Sequence, residues 1–231
     1  MKEPVKNILK LIFVGIATTV VRIIGQLSIP AGEQAVLAPS IFAQNGTMPV
    51  VFTIYGIFAY SLIAALFLLI RNRMGGNHIR QGLRYSLACC AVWIVYLREP
   101  LPHVAPLDRI TYPVADGLAL LVMGLLLGWL FGQTSPPIKK HRLKPLALPV
   151  LIIILCFIAG RLLLYCVAGI YSSFPEKTVE TLLWCLLAGF VTACAMAWLN
   201  RYVSGGSRIN RALITGGLLF GVVLFCVIVF M

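Results

Sequence analysis

Two arginines, Arg22 and Arg161, interrupt apolar runs of about twenty residues, and two carboxylates, Asp116 and Glu180, stand early in two other such runs. A guanidinium keeps its charge at any ordinary pH and presents five donors in a planar fork. It therefore suits either a carboxylate on a neighbouring helix or an acidic group arriving from outside. Placing a charge near mid-bilayer costs about 2.5–3.5 kcal/mol on insertion scales, and such side chains seldom face lipid. Two readings stay open. Arg22 and Arg161 pair with Asp116 and Glu180 and lock a helical bundle, or these four residues line an outward-facing polar site for an anionic or zwitterionic group.

A second group of polar residues lies between the runs, from Arg98 to Pro113. It holds Arg98, Glu99, His103, Asp108 and Arg109 among four prolines, which stiffen the segment against helix formation. His103 near Asp108 suggests acid–base work, yet no serine or cysteine nucleophile is spelled out beside them. The segment reads as a rigid connector, with a lid or docking surface as the alternative. The signatures HExxH, GxSG, CxxC and the phosphate-binding Walker loop are all missing, so no catalytic residue, metal or cofactor is assigned.

The elements that must hold these residues follow from composition. Of 231 residues, 60% are hydrophobic and 11% charged, against about 25% charged in soluble domains, and mean hydropathy is +0.96. This excludes a soluble enzyme, a disordered chain and an outer-membrane barrel, whose strands would alternate polar and apolar residues. The expected fold is an all-α integral membrane protein, a single polytopic domain over 1–231. Seven spans are predicted at 11–29, 48–70, 83–97, 114–132, 147–169, 179–199 and 212–231. The third is short, and six spans result if it is interfacial or re-entrant.

Charge distribution favours seven. Lys2, Lys6, Lys10, Arg71, Arg73, Arg80, Arg84, Lys139, Lys140, Arg142, Lys144, Arg201, Arg208 and Arg211 then share one side, whereas Arg98, Arg109 and Lys177 lie on the other. Basic residues mark the cytoplasmic side, so the N-terminus is placed in the cytoplasm and the C-terminus outside. The net charge of +12 is thereby explained as orientation beside anionic headgroups, with no nucleic-acid partner required. Glu33, Glu99, Asp108, Asp116, Glu176 and Glu180 fall on the outer side.

Two parallel three-helix repeats, 8–98 and 145–231, are suggested by Asn72-Arg73 and Asn200-Arg201, each followed by Gly-Gly, with 114–132 as linker helix. Gly124, Gly128 and Gly132 form a ladder on one helix face, echoed by Gly217 and Gly221. Small residues at this spacing admit a neighbouring backbone, within the chain or in a dimer. The seven cysteines all fall within spans and read as small hydrophobic residues.

The expected function is a small transporter or permease-like protein, taking an anionic or zwitterionic solute or lipid headgroup. One alternative is a non-catalytic assembly, immunity or regulatory subunit bound to a membrane-protein partner. A second is an intramembrane enzyme acting on a lipid-linked substrate. Membrane lipids surround it in each case, and the expected location is the inner membrane of a bacterium.

Overall fold

The computed structural model describes residues 3–29, 41–102, 104–133, 147–204, 207–224 and 226. Glu33, His103 and the basic residues Lys2, Lys139, Lys140, Arg142 and Lys144 lie outside the described residues. The elements are helical: α1 (Glu3–Ser28), α2 (Ile41–Gln44), α3 (Met48–Phe67), α4 (His78–Tyr96), α5 (Asp108–Phe131), α6 (Ala147–Cys166), α7 (Thr178–Asn200) and α8 (Arg208–Ala212). A π-helix, Leu213–Gly221, continues α8.

Among the described residues, five segments are long and apolar enough to cross a membrane: Glu3–Ser28, Met48–Arg73, Asp108–Phe131, Ala147–Cys166 and Thr178–Asn200. This is the architecture of a helical membrane protein, as the composition requires. The third and seventh predicted spans are not among the five. At 19 residues, α4 is about 28 Å long, but Arg80, Gln81 and Arg84 crowd its first turns. The seventh predicted span runs past the described residues, and within them the helix takes π geometry over Leu213–Gly221.

Local signals explain the boundaries. Pro49 opens α3, where a missing N–H costs nothing. A 3-10 turn, Arg71–Arg73, follows α3, and Gly75 and Gly76 then take φ of 56° and 86°, a left-handed conformation that side chains disfavour. Asn77 caps α4 by accepting the Ile79 amide at 2.9 Å. The chain thus reverses within a few residues, and α4 returns antiparallel to α3. Helix α5 starts at Asp108, six residues before its predicted span, and runs through Pro113, its sixth residue, whose ring removes one backbone hydrogen bond from the second turn. Asp108, Arg109 and Pro113 therefore belong to a helix and not to the connector.

The most extensive helix pair is α4 with α5, and glycine makes it possible. Contacts run antiparallel from His78 beside Gly132, through Ile79 beside Gly128 and Ser86 beside Gly124, to Trp93 bonded to Asp116. The Ser86 hydroxyl donates to the Leu120 carbonyl. α4 accordingly lies along α5 over most of its length. Gly217 and Gly221 behave differently. A Cβ on Gly217 would meet nothing within 4 Å, and one on Gly221 would first meet Gly216 of its own helix at 3.2 Å, so among the described residues neither seats a neighbouring helix.

A Cβ on Gly128 would stand 2.7 Å from the Ile79 Cα and 2.8 Å from the His78 carbonyl oxygen, both backbone atoms. Gly128→Val should thus push α4 off α5 and destabilise by about 1–3 kcal/mol. Gly160→Ala, where nothing lies within 4 Å, should be neutral or stabilising, since alanine exceeds glycine in helix propensity by about 1 kcal/mol. Thermal unfolding in one detergent checks both, and equal midpoints for the two variants would contradict the close approach.

The far end of α5 is held by cations. Lys10 donates to the Leu130 carbonyl at 3.4 Å and Arg71 to the Phe131 carbonyl at 3.2 Å, and both lie over the Phe131 ring. Positive charge at a helix C-terminus complements the aligned peptide dipoles. The Gln81 side chain adds a reciprocal pair, donating to the Gln133 carbonyl at 2.6 Å and accepting its amide at 3.2 Å. These contacts fix α5 along the bundle, and so fix the height of the carboxylates at its other end.

Candidate functional site

The second half of α1, the N-terminal ends of α3 and α5, and the chain following α4 enclose a cavity of about 580 Å³ at one end of the bundle. Its polar lining includes Arg22 and Gln26 from α1, Thr53 from α3, and Asp108, Tyr112 and Asp116 from α5. Ile23, Leu27, Phe52, Leu97 and Leu101 supply an apolar part. An apolar hollow with a few convergent polar groups is the usual form of a small-molecule site, within the common range of about 300–1,000 Å³.

Arg22 is six residues before the end of α1 and donates from Nε to Asp116 Oδ1 at 2.6 Å. The other carboxylate oxygen accepts the Trp93 indole N–H at 2.8 Å. Asp116 is fully buried and the Arg22 side chain is 12% exposed. Trp93 in turn stacks on Tyr60 with ring centroids 5.8 Å apart. An ion pair withdrawn from water survives only when further donors occupy the remaining lone pairs, and here the indole does so. The guanidinium has one edge fixed by Asp116 while its side chain also lines the cavity.

Arg161 stands five residues before the end of α6, and its partner is Glu99. Arg161 Nη2 donates to Glu99 Oε1. The Tyr165 hydroxyl accepts from Arg161 Nε at 3.0 Å and Nη2 at 2.7 Å, and donates to the same Glu99 oxygen at 2.7 Å. The guanidinium also lies 4.8 Å from the centroids of the Tyr165 and Trp184 rings, and the Trp184 indole donates to the Val95 carbonyl at 2.7 Å. A cation set against two aromatic rings that also makes several directed hydrogen bonds suits arginine better than lysine.

The structure thus divides the four charges read from the sequence. Arg22 meets Asp116 on the cavity wall. Arg161 is buried in a separate cluster, away from the residues lining that cavity, and Glu180 is exposed at the start of α7. Arg161 therefore does not meet Glu180, because Glu99 on the connector reaches it first. Arg98 is exposed, Arg109 is half-buried, and Asp108 is 1% exposed in the cavity wall.

Several residues of these clusters escape a reading of charges alone. Tyr165 follows Arg161 by one helical turn on the same face, a signal available in the sequence. Trp93 and Trp184 carried a weaker one, since a buried indole N–H requires an acceptor. Among the described residues, no three His, Cys, Asp or Glu side chains gather as a metal site. The connector serves both clusters: Glu99 is clamped to Arg161, while Leu101 and Val104 line the cavity. Comparisons with protein-family models, with curated proteins and with solved structures find no match to this chain.

Proposed function

We propose that the chain is a small transporter or permease-like protein of the bacterial cytoplasmic membrane, and that its cavity takes an anionic or zwitterionic solute or lipid headgroup. The observation that carries this reading is a cavity of about 580 Å³ lined by an ion-paired arginine at the depth of an apolar helix. A purely structural ion pair has no need of adjoining space. Seven spans with a cytoplasmic N-terminus accord with the segregation of basic residues. On that topology the cavity belongs to the outer half. The pairing of α1 with α3 and of α6 with α7 suits two parallel repeats, with α5 as linker.

Native mass spectrometry of gently solubilised protein tests the reading. Wild type should retain a small molecule or single lipid that the Arg22→Gln, Asp116→Asn double variant loses, with both unfolding at similar temperatures. The double variant exchanges charges for amides of similar shape, so retention of the same mass by both would overturn the cavity reading. A stoichiometric protein partner with no small ligand would replace it with the subunit reading.

A further inference from the structure

At the end of the bundle away from the cavity, two cations from different parts of the chain meet over one aromatic ring. Lys10 Nζ on α1 stands 5.6 Å from the centre of the Phe131 ring, and Arg71 Cζ, just after α3, stands 5.9 Å from it. Each gives one hydrogen bond to the last turn of α5, at the Leu130 and Phe131 carbonyls. These bonds use one of three donors on a lysine and one of five on an arginine. Lys10 is exposed and Arg71 half-buried.

Capping the helix does not balance this charge. Aligned peptides amount to about half a negative charge at a helix C-terminus, against two full positive ones. Nor does the sequence supply a carboxylate. Residues 1–12, 65–84, 129–150 and 199–212 contain the starts of α1, α4, α6 and α8 and the ends of α3, α5 and α7. Glu3 is the one Asp or Glu in all four stretches, and it lies 3.6 Å from Lys6.

Depth and apolar surface point to a lipid. Trp129, two residues before Phe131, is 66% exposed, and an outward indole on a membrane helix sits at the headgroup boundary. Phe13, one turn beyond Lys10 on α1, is 51% exposed and offers a surface to the first carbons of an acyl chain. We propose that Lys10 and Arg71 form a binding site for the phosphodiester of an anionic phospholipid, above the buried Phe131 ring. The ring and the two carbonyls hold both cations in place beforehand, so little side-chain freedom is lost on binding.

The test adds dioleoyl phosphatidylglycerol or dioleoyl phosphatidylethanolamine to delipidated full-length protein in detergent, and native mass spectrometry counts the lipid retained. Both probes carry the same chains and phosphodiester, but the cations repel the ammonium of the second. A basic residue beside an anionic headgroup is worth about fivefold in affinity, so the pair should prefer phosphatidylglycerol about thirtyfold. Lys10→Gln, Arg71→Gln should erase the preference. Arg201→Gln, Arg208→Gln removes the same charge from exposed positions at this end of the bundle and should keep it.

No preference in wild type, an unchanged preference in Lys10→Gln, Arg71→Gln, or an equal loss in both double variants would each overturn the site. If the first double variant does not fold, Lys10→Gln alone decides, with an expected loss of about fivefold. Inorganic phosphate binding as tightly as the lipid in isothermal titration would assign a free anion and overturn the lipid. Arg22→Gln, Asp116→Asn should leave this lipid bound; its loss there would place it in the cavity and remove the site. A cavity ligand is read separately by comparing that variant with its parent in the Lys10→Gln, Arg71→Gln background.

Discussion

Replacing Asp116 with leucine is expected to cost about 3–5 kcal/mol, enough to deplete the folded, monodisperse protein in detergent. The carboxylate is fully buried and accepts from both Arg22 and Trp93. Its removal takes the counter-charge from a guanidinium that is itself largely out of water. The double variant Arg22→Met, Asp116→Leu should recover most of the loss, since apolar side chains of similar volume can substitute for a buried pair at little net cost. Unfolding midpoints of the wild type, the two single variants and the double variant form a complete cycle. Simple additivity of the two single effects would show that the residues are not coupled and would remove the contact from the account.

The second large effect is at Arg161. Arg161→Leu should cost a similar 3–5 kcal/mol, because Glu99, 3% exposed, loses its cation. Arg161→Lys separates charge from shape. Lysine keeps the charge, but it cannot lie flat against Tyr165 and Trp184 while also bonding Glu99 and the Tyr165 hydroxyl. It should fall between the two, with a deficit of about 1–2 kcal/mol from the lost cation–π contacts. A lysine variant unfolding with the wild type would show that the aromatic faces contribute nothing.

Apolar run lengths were sufficient to read a helical bundle, because in lipid each backbone group must be satisfied within its own segment. Boundaries were less legible where polar residues lie inside helices. α4 begins at His78 and not at residue 83, since Arg80, Gln81 and Arg84 hide a helix whose start is marked by Asn77. Arg22 and Asp116 stood out as charges within apolar runs. Their contact joins residues 94 positions apart, and only the packing of α1 on α5 brings them together.

Glu99 was harder to assign for a different reason. It lies beyond the end of its helix, and the path of the connector depends on how Leu101 and Ala105 bury themselves, which no periodic pattern encodes. Glu180 was the nearer candidate by span position alone. The cavity is equally a tertiary property: its walls come from four separate parts of the chain.

The long separation between Arg22 and Asp116 also sets an order of events during synthesis. At about 5–20 residues per second, the carboxylate is made roughly 5–19 s after the arginine. During that interval α1 must hold Arg22 without the partner that later stabilises it. No other Asp, Glu, Lys or Arg lies between Lys10 and the end of α1, and at 26 residues it is the longest helix among the described elements. The helix thus carries enough apolar length to enter the membrane with its charge unmatched. Closing the pair marks the moment when the first and fifth helices find one another.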